Sequence, residues 1–182
     1  MLRFGRGEGA AFEALYRRHE SRVFRYLHRN VRNEASANDL MQEVWFAVAR
    51  SARGYQPTAK FSTWLFTIAH NRMVDLIRAS ARVQSMEAAE KIDSEGASLL
   101  DSLAADARLE PPAAVQSQHE AAALLHAVAQ LPAEQRAAFL LQAEGDLSVE
   151  EIAAITESNF ETVKSRLRYA RAKLRQLLWE YA

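Results

Sequence analysis

The chain predicts an all-α protein of two small helical domains, and three observations carry that expectation. Apolar residues recur at helical spacing through long stretches. No hairpin signal interrupts them, and Ala, Leu, Arg and Glu dominate while Pro occurs four times in 182 residues. The last fifty residues then read as a short capped helix, a polar break and a long basic helix, the pattern of a helix-turn-helix.

The first domain is expected over residues 1–80. A helix over 12–31 places Phe12, Leu15, Tyr16, Val23, Phe24 and Leu27 at helical spacing, and 33–38 is read as its break. A second helix over 39–53 aligns Leu40, Val44 and Val48, with Met41 and Trp45 beside them. Residues 54–58, Gly-Tyr-Gln-Pro-Thr, form a loop. A third helix over 61–79 turns Phe61, Leu65, Ile68, Ala69, Met73 and Leu76 to one broad core face, with Thr67, Asn71, Asp75 and Arg78 opposite. Trp64 falls with the polar group, flanked by Lys60 and Arg72. A tryptophan there suits stacking on an unpaired base while amides read its edge. The alternative is that Trp64 packs under the preceding loop, and periodicity does not separate the two.

Residues 81–118 differ in kind: acidic, rich in Ala and Ser, closing near Pro111-Pro112, with no sustained stripe. They are expected to be an acidic, mostly extended linker with at most one short helical turn. The second domain is expected over 119–182. A helix over 119–130 stops at Leu131-Pro132, Pro132 is placed to start the next over 133–143, and Gly145 ends it.

Ser148-Val-Glu-Glu151 is a capping box that starts the first helix of the helix-turn-helix. In the second helix, Val163, Leu167, Ala170, Leu174 and Leu177 fall on one narrow face. Lys164, Arg168, Arg171 and Arg175 form a stripe about a quarter-turn away. One stripe anchors the helix; the other presents cations whose approach to phosphates releases counterions. Glu161, Lys164, Ser165 and Arg168 lie in the first turns, where a helix in the major groove meets base edges. A solvated basic face would explain the stripe alone, but not the cap, break and stripe together.

Net charge is zero but segregated. Residues 1–80 carry thirteen basic and seven acidic groups, 81–133 three and eight, and 134–182 seven and eight. A chain so balanced should hold bare DNA weakly, which points to a larger partner supplying most of the affinity. The lack of cysteine excludes disulfides and cysteine metal sites and fits a reducing, cytoplasmic compartment. No stretch is long and apolar enough for membrane insertion, and the N-terminus lacks the apolar run of a signal peptide. His19, His28, His70, His119 and His126 show no metal-ligand spacing, and no Gly-rich phosphate loop occurs. No enzyme activity, metal or cofactor is expected.

Five stretches in this order resemble the extracytoplasmic-function (ECF) sigma factors of the sigma-70 family, over about 9–178. They are Phe12-Glu-Ala-Leu-Tyr-Arg-Arg-His19, Asn38-Asp-Leu-Met-Gln-Glu-Val-Trp-Phe46, residues 61–72, Leu131-Pro-Ala-Glu-Gln-Arg136, and Ser148-Val-Glu-Glu-Ile-Ala through Val163-Lys-Ser-Arg-Leu167. The resemblance implies a promoter-specificity subunit of RNA polymerase. It assigns core-polymerase binding to Asp39, Leu40, Gln42, Glu43 and Phe46. It assigns the opening of minus-ten DNA to the loop from Gly54 and Tyr55 to Lys60, with Trp64, Phe66, Asn71, Arg72, Asp75 and Arg78. It adds Tyr169 to the groups that read the minus-thirty-five duplex and places Thr162, Arg166 and Arg171 on phosphates. The acidic linker would thread toward the polymerase active centre. Core RNA polymerase, promoter DNA and an anti-sigma factor are the implied partners. A stand-alone helix-turn-helix regulator with a sensing domain is the competing class.

The turn departs from the family pattern, with Glu157, Asn159 and Glu161 where relatives often carry Gly, Pro and Gly. A left-handed glutamate costs roughly 1 kcal/mol, so Asn159 is expected to take that conformation. Glu161 favours the helix dipole and could accept from a cytosine amino group. Leu2-Arg3-Phe4 resembles the end of a helix whose start is missing, which leaves truncation or a different start open.

Overall fold

The computed structural model describes the backbone of residues 1–90 and 112–179, all of it helix, turn or loop. Four helices build the first domain: α1 (Leu2–Gly5), α2 (Gly9–Val31), α3 (Glu34–Ser51) and α4 (Phe61–Glu90). Four build the second: α5 (Pro112–Ala129), α6 (Ala133–Gly145), α7 (Val149–Ile155) and α8 (Phe160–Trp179).

Local chemistry explains the boundaries. Arg32 ends α2 in the left-handed region at φ 56°. Asn33 then caps α3 by accepting from the Ser36 amide. Residues 34–38, read above as a break, are therefore the first turns of α3. Their Asn and Ser compete with helical bonding inside a helix but satisfy its free amides at the start. The expected linker is also shorter than 81–118. Helix α4 continues to Glu90, and α5 begins at Pro112, where a proline's missing N–H costs nothing. What was expected of 91–111 lies outside the described residues.

The anticipated stripes form the core. Leu40, Met41, Val44, Trp45 and Val48 of α3 pack with Val23 and Leu27 of α2 and Leu65, Ala69 and Met73 of α4. In the second domain Val163, Leu167, Ala170, Leu174 and Leu177 are all buried, against α5, α6 and α7. Each large apolar side chain so buried contributes about 1.5–3 kcal/mol of transfer free energy.

The two domains also pack on each other. Helix α2 lies along α6 and touches α5, while α4 meets α6 and α7. Gly145 makes the closest approach possible: a Cβ there would stand 3.3 Å from the Phe66 ring and 2.9 Å from Leu147. Tyr26, Phe66 and His70, which periodicity did not assign to a common core face, fill this second interface. The Tyr26 and Phe66 rings meet edge-on at 5.5 Å, and the Tyr26 hydroxyl lies 2.8 Å from His70 Nδ1.

Candidate nucleic-acid interface

The helix-turn-helix is assembled by two reciprocal caps. Ser148 accepts from the Glu151 amide at 3.2 Å, and Glu151 accepts from the Ser148 amide at 2.8 Å, closing the capping box on α7. Backbone and side-chain hydrogen bonds hold the Glu151 pKa below the usual carboxylate range. Asn159 starts α8 by accepting from Thr162 N at 2.7 Å. Asn159 thus caps the helix, and it is Glu157 that takes the left-handed conformation, at φ 50°. That corrects the expected assignment. The turn needs the left-handed residue at the end of α7, where the Ser158 amide reaches back to Ala153 O at 3.0 Å.

Burying the apolar stripe of α8 turns Glu161, Lys164, Arg168, Tyr169, Arg171 and Arg175 to the surface. Arg168 lies over the Tyr169 ring, 4.9 Å from its centroid, and donates to its hydroxyl at 3.2 Å. Lys164 is 3.8 Å from Glu161, so the acid at the helix start is countered by a neighbour one turn on. Arg171 donates to Gln142 at 2.7 Å. Thr162 and Ser165 are half-buried beside this stripe. Arg166 is placed differently: it donates to Ser158 Oγ at 2.7 Å and pairs with Glu134, with its side chain 19 % exposed. It braces the turn against α6 and is not presented with the outward cations.

On the first domain, Gly54 and Lys60 are exposed in the loop before α4, and Asn71, Asp75 and Arg78 are exposed along α4. Trp64 is half-buried, with its ring centroid 4.9 Å from Tyr55 and 5.7 Å from Phe61. This aromatic cluster packs Trp64 against the loop while part of its side chain stays exposed, so the packing and the base-stacking expectations are compatible. Arg72 is half-buried, 3.9 Å from Glu43. Phe66 is fully buried and is not presented to DNA; its neighbours are Tyr26 and Gly145, because α4 buries a second face against the other domain.

Asp39, Gln42, Glu43 and Phe46 share the exposed side of α3, with Phe46 67 % exposed. Leu40 is 3 % exposed and belongs to the core, as its place on the Leu40/Val44/Val48 line requires. Its assignment to a docking surface is corrected on that ground. Beside Phe46 lies an open groove of about 870 Å³ between α2 and α3, lined by Phe12, Tyr16, Phe24, Met41 and Trp45 among others. The groove was not anticipated. Its signal is the i, i+4 pair Phe12 and Tyr16, whose rings meet Trp45 at 5.8 and 4.9 Å. Among the described residues no cluster of three metal-ligating side chains occurs, and no helix is long and apolar enough to cross a membrane.

A helix-turn-helix with an outward cationic stripe, joined to a helical domain whose aromatic loop adjoins exposed Asn, Asp and Arg, defines a helical protein of two modules. Comparison with known proteins gives its family. Residues 15–83 match the model of Sigma-70 region 2, and residues 121–174 that of Sigma-70, region 4. The ECF RNA polymerase sigma factor RpoE of Cereibacter sphaeroides is 32% identical over 168 residues, which cover 92% of this chain and 86% of that protein. The chain belongs to the ECF group of the sigma-70 family of RNA polymerase sigma factors. The sigma factor CarQ of Myxococcus xanthus is 44% identical over 85 residues, 47% of this chain and 49% of that protein. SigE of Mycolicibacterium smegmatis is 33% identical over 94% of this chain and 63% of its own length. The chain therefore spans about half to three-fifths of those two relatives. Two solved structures share the fold. They are the sigma factor RpoE in complex with the anti-sigma factor NepR from Bartonella quintana (TM-score 0.66, 21% identity, covering 92% of this chain and 96% of that one) and CnrH in complex with the cytosolic domain of CnrY (TM-score 0.65, 23% identity, 98% and 94%).

Proposed function

We propose that this chain is a promoter-specificity subunit that binds core RNA polymerase, recognises minus-thirty-five and minus-ten elements and opens promoter DNA. The observation that carries this reading is α8: every apolar residue of its predicted stripe is buried, and Lys164, Arg168 and Arg171 stand outward from it. In this reading the first turns of α8 enter the major groove, with Lys164, Ser165, Arg168, Tyr169 and Glu161 at base edges and Thr162 and Arg171 at phosphates. Lys60, Trp64, Asn71, Asp75 and Arg78, with Gly54, Tyr55 and Arg72, serve the unpaired strand. Capturing an extruded base offsets the few kcal/mol its unstacking costs, so opening needs no nucleotide hydrolysis. Asp39, Gln42, Glu43 and Phe46 meet the polymerase. The site of action is the cytoplasm, where core polymerase works, and an anti-sigma factor is the expected regulator, by analogy with the complex of the Bartonella relative.

The test is transcription from fragmented genomic DNA of the source organism by core polymerase, with and without the chain. New starts that share two motifs at fixed spacing are expected. No new starts, together with tight sequence-specific binding of bare duplex, would overturn the proposal in favour of a stand-alone regulator.

A further inference from the structure

The loop assigned above to minus-ten DNA has little structure of its own. Between Tyr55 and Lys60 the Thr58 amide donates to the Gln56 carbonyl at 2.9 Å, and no regular element forms. Its course is therefore set by what holds its two ends. The far end runs into α4, where the Tyr55 ring meets Phe61 and Trp64 with centroids 6.3 and 4.9 Å apart. The near end is a 3-10 turn over Ala52–Gly54 that follows α3. An element with no role so far bears on that turn: α1.

Helix α1 has four residues, too few to persist without tertiary support. Two of its supports come from α2 and the connection to it. The Phe4 ring meets Phe12 at 4.9 Å. The Gly7 and Glu8 amides reach back to the Phe4 and Arg3 carbonyls at 2.8 and 3.2 Å, and Arg3 Nε donates to Glu8 at 2.8 Å. The third support is the turn. A Cβ on Gly5 would stand 3.8 Å from Arg53 Cα and 3.2 Å from the Ala52 carbonyl carbon. It would lie nearer still to the Ala52 carbonyl oxygen, inside the distance that real Cβ atoms keep. These atoms are backbone and cannot swing aside as the end of a side chain can, and Ala52 is itself buried. Such an approach of backbone to backbone is open only to glycine. Gly9 has nothing within 4 Å of its own Cβ position, so the tight contact belongs to Gly5 and not to the segment. Past the turn, an open cleft of about 510 Å³ runs between α1 and the loop, lined by Leu2, Arg3, Tyr55, Pro57 and Phe61 among others.

We infer that Gly5 is a positioning residue for minus-ten recognition: through it α1 props the Ala52–Gly54 turn, and the propped turn sets where Tyr55 to Lys60 stand beside Trp64. The inference rests on the reading that this loop serves the unpaired strand. A side chain at position 5 either lifts α1 off the turn or pushes the turn toward the loop, and both displace the loop's first residues. Where orientation governs a step, a displacement of about 1 Å costs on the order of 100-fold.

The test uses the full chain with core polymerase, on a promoter found by the transcription assay above. Permanganate reactivity of minus-ten thymines reads opening. Gly5→Ala should lower it at least about ten-fold, with core affinity and minus-thirty-five preference unchanged. Gly9→Ala should match the parent chain in all three. Phe4→Ala loosens α1 from Phe12 without placing an atom against the turn; it should also impair opening, and it serves where Gly5→Ala does not fold. The chain has no cysteine, so nitroxides at Thr58→Cys in the loop and Ser21→Cys on α2, both exposed, report the loop's position by pulsed dipolar spectroscopy. The otherwise unaltered chain should give one narrow distance distribution, shifted or broadened by Gly5→Ala and Phe4→Ala but not by Gly9→Ala. Normal opening by both α1 variants, or an unmoved distribution, would overturn the inference. So would loss of core binding in step with opening, the mark of a merely structural role. If the parent chain opens no promoter, the sigma reading fails, while the free-chain distances still decide whether α1 positions the loop.

Discussion

Glu157→Gly tests the turn of the helix-turn-helix through a single backbone angle. Glu157 sits at φ 50°, where an L-residue other than glycine bears about 1–2 kcal/mol of steric cost. Glycine removes that cost but gives the unfolded chain more freedom, which returns about 0.4–1 kcal/mol. The net expectation is stabilisation by about 0.5–1 kcal/mol, and a Tm higher by roughly 1–4 °C for a chain of this size. Urea and thermal unfolding at pH 7.5 should rank the variants Glu157→Gly, then Glu157→Asn, then Glu157→Gln level with the parent chain, because asparagine tolerates the left-handed region and glutamine does not. The glutamine variant separates strain from charge. If Glu157→Gly is less stable than the parent chain while Glu157→Gln matches it, the strain argument is wrong. The same carboxylate acts on His70, whose pKa burial lowers, aided by Arg166 and Arg78, while Glu157 opposes them. Removing it should depress His70 further, so the gain should shrink when the comparison is repeated at pH 5.5.

His70 also gives the whole chain a pH dependence. Its folded-state pKa lies below the ordinary 6.5, so its contribution is present above that value and is lost as pH falls below it, at no more than about 1.4 kcal/mol per pH unit; denaturant titrations at pH 7.5 and 5.5 should show the loss, and His70→Gln should flatten it. Arg168→Ala should weaken promoter use about 5- to 150-fold, the range of about 1–3 kcal/mol, and relax preference at one minus-thirty-five position; an unchanged preference at every position removes it from the base-reading set. Trp64→Ala should impair promoter opening while sparing core binding, and loss of core binding would refute its role; since Trp64 packs on Tyr55 and Phe61, it should also lower stability by about 2 kcal/mol in thermal unfolding. Asn159→Ala removes the cap on Thr162 N and should cost about 1 kcal/mol in denaturant unfolding.

Helices with one buried face were legible. On α8 the five residues named from spacing are the five that are buried, and on α3 the Leu40/Val44/Val48 line with Met41 and Trp45 forms the core. The capping box was legible because both of its partners lie within one turn. Asn33 was misread for a related reason: the residue types that disrupt a helix interior are those that begin one, and only the geometry distinguishes the roles.

What stayed hidden belongs to helices buried on two sides. Helix α4 turns Leu65, Ala69 and Met73 into its own domain and Thr63, Phe66 and His70 toward the other, so no single apolar stripe survives to mark the second face. The residues on that face are largely polar, and each is satisfied by a partner far along the chain: His70 by Tyr26, Thr63 by Glu151. Glu144 and Arg136 look like surface charges in the sequence, yet each is under a tenth exposed, because Arg25 and Arg29 compensate the one and the carbonyls of Leu131 and Asn30 accept from the other.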